Sequence, residues 1–170
     1  VNTFPAKFEM AYNDGAREKL GLEMSKQSDS TLMEELLATM ADNQADFTLV
    51  FRRLSRLVRD DDSADDAVRE LFKDPAAFDR WAVQWRARLR DESWGDLERR
   101  TQMQAINPAY IPRNHRVEEV IRAAEDNGSF GPFERLHEVL QKPFDEQQIN
   151  VEFQKPPQPE EIVQATFCGT

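Results

Sequence analysis

The sequence is poor in the residues that most catalytic chemistry requires. It holds one cysteine, Cys168, and two histidines, His115 and His137, among 170 residues. A single thiol closes no internal disulfide, which excludes a cysteine-stapled scaffold and fits a reducing compartment. Neither histidine has the i,i+4 partner of a helical zinc site, and one sulfur cannot complete a sulfur-rich site. Both read as helix-surface histidines. The six glycines make no phosphate-cradling loop: Gly128 and Gly131 flank Ser129 and Phe130 in a helix-to-helix turn, where they serve backbone geometry. There is no Gly-x-Ser-x-Gly elbow and no serine or cysteine beside an obvious base. No apolar run reaches the roughly 20 residues that span a bilayer. Nothing near Val1 reads as a signal peptide, and a start at Val1 rather than Met suggests a processed or truncated product.

Positive charge is also scarce. Lys and Arg number 22 against 32 Asp and Glu, for a net charge of −10. A duplex-binding protein needs a basic face to displace counterions, and an anionic membrane would repel this chain, so neither nucleic acid nor membrane is expected as a partner. Arg52, Arg53, Arg56 and Arg59 form a local basic cluster. Their spacing places several on the polar side of a helix, which reads as a solvated face.

What the sequence does have is enough apolar residues for a core, 39%, arranged with a helical period. Phe4, Phe8, Ala11 and Tyr12 recur at steps of three and four and predict a first helix running towards Leu20, ended by Gly21. Thr31 with Glu34 three residues on predicts a capped second helix with Leu32, Leu36, Leu37 and Met40 inside. Phe47, Val50, Phe51, Leu54 and Val58 predict a third, stopped by the acidic run from Asp60 to Asp62. Ser63 is expected to cap a short helix holding Val68, Leu71 and Phe72. Asp74-Pro75 opens the next, a capping carboxylate followed by proline at the first helical position. Phe78, Trp81, Trp85 and Leu89 line it, and this stripe reads as core rather than as a base-stacking platform.

A further helix is predicted from Ser93 through Leu97, Met103 and Ile106, halted at Asn107-Pro108. Val117, Val120, Ile121 and Ala124 mark another, ending at Asn127-Gly128. The last starts near Pro132 and carries Phe133, Leu136, Val139 and Leu140. The sum is an all-α fold: an irregular bundle of seven or eight helices over residues 1–143, followed by an extended proline-rich tail over 144–170. Asp42, Gln44 and Asp46 superficially suggest a calcium loop. Phe47 stands where the tight turn demands Gly, however, and Arg53 where a bidentate Glu is required. From residue patterns alone no catalytic, cofactor-binding or metal-binding residue can be placed. Cys168, three residues from the end in a non-helical stretch, is a candidate redox thiol because an exposed terminal thiol can reach a partner.

Several segments resemble the selenoprotein O family. They are Asn107-Pro108-Ala109-Tyr110-Ile111-Pro112-Arg113-Asn114-His115-Arg116, Arg135 through Phe144, Lys19-Leu20-Gly21-Leu22, Phe51 through Ser55, Pro156-Pro157 and Phe167-Cys168-Gly169-Thr170. They follow the family's order along essentially the whole chain, and they match its C-terminal region. The resemblance implies a parent protein adenylyltransferase with a kinase-like fold, a pseudokinase in the ordinary sense. Such a parent uses ATP and Mg to transfer AMP to Ser, Thr or Tyr hydroxyls of other proteins, with its catalytic residues outside this chain.

The expected role of this chain is therefore a non-catalytic helical domain, inactive alone, that packs on or regulates the absent N-terminal kinase-like domain. Protein substrates would be partners of the parent. The alternative is an autonomous helical interaction module. The resemblance also implies that Cys168 occupies the family's terminal selenocysteine or cysteine position, where a reversible disulfide with the catalytic domain is the expected role. Asn107, Tyr110, Arg113 and Asn114 are candidate interface residues, since the last two can bond backbone groups across a domain boundary. An exposed apolar patch is expected where the missing domain sat. Bacterial relatives would be cytoplasmic and many eukaryotic ones mitochondrial, with the cytoplasm the expected location here.

Overall fold

The computed structural model describes residues 3–164, so Cys168 lies outside the described residues. Eight α-helices account for most of them: α1 Thr3–Lys19, α2 Asp29–Asn43, α3 Phe47–Leu54, α4 Asp66–Arg69, α5 Pro75–Leu89, α6 Asp96–Ile106, α7 Asn114–Asn127 and α8 Gly131–Leu140. Among the described residues there is no β-strand, only an isolated bridge between Val58 and Asp61. The fold is all-α. Its backbone contacts form two compact units that divide after Asn107.

In the first unit the helix ends follow local chemistry. Gly21 takes a left-handed φ of +71° after α1, and a Cβ there would sit 2.6 Å from the Met103 sulfur. Glycine is required on both counts. Arg17 seals the same end by donating from Nη1 to the carbonyls of Leu22 at 2.7 Å and Glu23 at 2.6 Å. Asp46 caps α3 by accepting from the Leu49 N–H at 2.8 Å, and Asp74 caps α5 by accepting from Ala76 at 3.1 Å with Pro75 following.

Three starts differ from the sequence expectation. Helix α2 begins at Asp29, before Thr31, because the Asp29 carboxylate folds back to accept from the Lys26 N–H at 2.8 Å and so sets an earlier turn. Ser63 does not cap α4; its N–H and hydroxyl both bond the Asp61 carboxylate at 2.9 Å, a self-contained turn. Ser93 lies ahead of α6, donating its hydroxyl to Glu23, and the helix starts after Gly95 with Leu97 largely in solvent.

The first unit's core gathers Leu20, Leu22, Leu36, Val50, Leu54, Val68, Phe78, Trp85, Leu89 and Met103. Helix α5 supplies its centre. Trp81 and Trp85 stack at 5.8 Å, and each indole N–H is satisfied by a carbonyl, Leu32 and Leu20 respectively, both at 2.9 Å. The aromatic stripe is core, as its spacing predicts.

Charged groups are buried in the same unit with their bonds made. Arg88 donates to Asp29 at 2.7 Å, to Glu92 and to the Met24 carbonyl at 2.6 Å, while Glu92 accepts the N–H groups of Glu23 and Met24. Arg86 grips buried Asp65 through two bonds of 2.8 and 2.6 Å. Arg52 corrects the expectation of a solvated basic face. It is 3% exposed and donates to the carbonyls of Gln104 at 3.0 Å and Asn107 at 2.9 Å. Both bonds leave Nη1 and reach residues more than fifty positions on, which a spacing argument does not reveal.

In the second unit Ala109, Tyr110 and Val139 form a small core against which Leu140 and Phe153 pack. Helix α7 ends on Gly128 at φ +60°, as Asn127-Gly128 predicts. After α8 the described residues, to 164, form no further α-helix; turns follow Leu140, and 3₁₀ turns lie at Gln148–Gln154 and Pro159–Glu161. Proline blocks a longer helix there but is well suited to the first position of a short turn.

Candidate functional site

The Asn107–Asn114 stretch is the sequence's best candidate for an interface, and its residues have distinct surroundings. Asn107 closes the first unit and is fully buried. Its Nδ2 donates to the Lys19 carbonyl at 3.0 Å, its Oδ1 accepts from Lys19 Nζ at 3.2 Å, and its carbonyl accepts from Arg52. One side chain thus ties the end of α6 to the end of α1, and its carbonyl holds an arginine of α3. Lys19 in turn lies over the rings of Phe47 and Phe51 at 5.7 and 5.4 Å, and burial holds its pKa below the ordinary lysine value.

Tyr110 opens the second unit and is also buried. Its hydroxyl donates to the Gln147 carbonyl at 2.9 Å and accepts from the Gln147 N–H at 3.2 Å. The N–H groups of Ala109 and Tyr110 share the Pro143 carbonyl. Arg113 is buried at the start of α7, and its carbonyl accepts from Arg116 and Val117. Asn114 alone of the four presents its side chain at the surface.

The histidines separate. His137 is exposed, stacked on Phe133 at 5.9 Å and 3.0 Å from Gln141 through Nε2, which is a helix-surface histidine. His115 is not. It is 7% exposed, and its Nε2 is enclosed without a hydrogen-bond partner among the described residues. Nothing in its sequence spacing distinguishes it from a surface position, because burial here comes from residues some forty further along the chain.

Helix α1 leaves much of its apolar face open. Phe4, Phe8 and Tyr12, whose spacing predicts the first helix, stand 74%, 62% and 49% exposed. Their rings run in a stacked row, Phe4 to Phe8 at 6.4 Å and Phe8 to Tyr12 at 6.3 Å. Met10, also on α1, is exposed too. Only the C-terminal end of α1, from Ala16 onward, is buried against the first unit's core. Periodicity identifies which face is apolar but cannot say what covers it. Among the described residues, no group of three or more His, Cys, Asp and Glu gathers as a metal-ligand set, and no helix is long and apolar enough to cross a membrane.

These features define a helical piece whose buried Arg52 and Arg88 are bonded within the chain and whose helix α1 leaves an apolar face open. Comparison with known proteins agrees on the class: the family described as protein adenylyltransferase SelO matches residues 1–141. The chain belongs to that family. Among its relatives, a protein nucleotidyltransferase YdiU of Bradyrhizobium sp. (strain ORS 278) is 49% identical over 170 residues, covering 100% of this chain and 34% of the relative. Proteins of the same name from Methylorubrum extorquens and from Rhodopseudomonas palustris (strain BisB5) are 49% and 50% identical, covering 98% of this chain and 35% and 34% of their own length. The chain therefore spans about a third of the length of the curated relatives it matches.

Proposed function

We propose that this chain is the non-catalytic helical portion of a protein adenylyltransferase and that it packs against the portion of the enzyme it does not span. The observation that carries this reading is the Phe4–Phe8–Tyr12 row. Three stacked aromatics with half to three-quarters of their surface in water form an apolar patch of the kind that marks an interaction surface. About two-thirds of the relatives' length is available to cover it. The occupant is therefore the rest of the same polypeptide, which must offer a groove able to receive rings spaced one helical turn apart.

In this reading the acceptor hydroxyl of a protein substrate attacks the α-phosphate of ATP and pyrophosphate leaves. ATP and a divalent cation are held elsewhere in the enzyme. The described residues fit neither group well: the buried arginines Arg52, Arg88 and Arg99 already donate to groups of this chain, and Gly21, in its left-handed turn, is closed against Met103. What this chain supplies is support and placement. Cys168 is assigned the redox role the family resemblance implies, a reversible disulfide with a cysteine of the catalytic portion. A low-molecular-weight disulfide would serve as the oxidant, taking up the two electrons and two protons that the thiols lose.

The test is transfer of label from α-phosphate-labelled ATP to a protein acceptor in the presence of Mg. The chain alone is expected to label nothing, and labelling is expected once the remaining portion of a relative is added. Labelling by the chain alone would overturn the reading.

A further inference from the structure

The second unit has two clefts that share a wall. One, of about 300 Å³, lies between Arg113–His115 at the start of α7 and Pro157, Glu161, Ile162 and Val163. The other, of about 630 Å³, lies between a later stretch of α7, including Glu118 and Arg122, and residues 160–164. His115 and residues 161–163 border both, so the imidazole sits at the seam where the C-terminal segment meets α7. The segment is held in shape by its own turn, in which the Gln158 N–H donates to the Glu161 carboxylate at 2.8 Å and the Glu161 N–H donates to the Gln158 carbonyl at 2.9 Å.

We propose that residues 157–163 form a strap closed over His115 and that protonation of His115 releases it. A neutral imidazole tolerates an enclosed nitrogen that bonds nothing. A protonated one carries a buried N–H and a positive charge that demand an acceptor. None is ready. From α7 and the residue before it His115 faces Arg113, Arg116, Glu118, Glu119 and Arg122, and from the strap Glu160 and Glu161. Glu118 is paired with Arg122 at 2.8 Å, Glu119 with Arg116 at 2.9 Å, and Glu161 with its own turn. Glu160 is exposed to solvent. The first turn of α7 adds the positive end of a helix dipole.

Burial holds the His115 pKa below the ordinary value of 6.5. Arg116 and Arg113 push the same way, and Glu161 and Glu119 oppose them. A base depressed in the closed form takes its proton more readily when open. Closure is therefore fully held above pH 6.5 and weakens as pH falls below it, by up to about tenfold in the open-to-closed ratio per unit of pKa depression.

Hydrogen exchange of peptides covering residues 157–164, corrected for the intrinsic rate, tests this at pH 7.5 and 5.5. Protection is expected to fall severalfold at the lower pH while α8 stays unchanged. His115→Leu and His115→Gln, which cannot titrate, are expected to lose that dependence, and His137→Gln to keep it. Circular dichroism at both pH values establishes that the helices persist. Strap protection that does not change with pH in the unsubstituted chain overturns the proposal, whether or not the variants fold, and so does an equal pH response in both His115 variants. Neither result bears on AMP transfer, so failure here is separable from failure of the functional reading.

Discussion

At the scale of single residues, the polar side chains that the sequence offers as a surface feature turn out to hold the interior together. Asn107 is the clearest case. Its pre-proline position forecasts a helix stop, and the structure adds that its amide satisfies both the backbone and the ammonium of Lys19. Replacing it with Ala leaves the half-buried Lys19 carbonyl and ammonium without these partners. Asn107→Ala is expected to destabilise the chain by about 2–3 kcal/mol, read as a lower urea midpoint with unchanged slope. A midpoint within error of the unsubstituted chain would mean Asn107 is not a structural tie. The burial of Arg52 and His115 was not legible in the sequence, because both are covered by segments far along the chain. The role of Trp81 and Trp85 was legible, because their spacing alone places them on one helix face with Phe78.

At the scale of elements, helix type and order were almost fully readable, and helix starts were not. Starts that rest on a capping side chain plus proline, as at Asp74-Pro75, came out in place. Starts expected at Thr31 with Glu34, at Ser63 and at Ser93 shifted, and Asp29, Asp61 and Glu23 accept bonds at those places instead. A carboxylate brought near a predicted start offers N–H or O–H groups another acceptor, and which carboxylate arrives depends on three-dimensional neighbours. The Asp74 cap can be weighed directly. Asp74→Ala is expected to cost about 1 kcal/mol, seen as a modest drop in thermal midpoint by circular dichroism. A drop of several times that size would show that Asp74 has a larger role than capping α5.

At the scale of the whole molecule, the unusual feature is an apolar face with no cover. The row on α1 is aromatic, ordered by stacking and continuous with a helix whose other end is anchored in the core through Ala16 and Leu20. The proposed cover is the remaining portion of the enzyme, since the chain belongs to the SelO family and spans about a third of its relatives' length. The most direct measurement is hydrogen exchange of the α1 amides in the chain alone and after addition of the separately produced remaining two-thirds of a relative, such as the Bradyrhizobium protein. Protection is predicted to rise across Phe4 to Tyr12 on mixing. A complex that forms while those amides exchange as before, or no complex at all, would contradict the account.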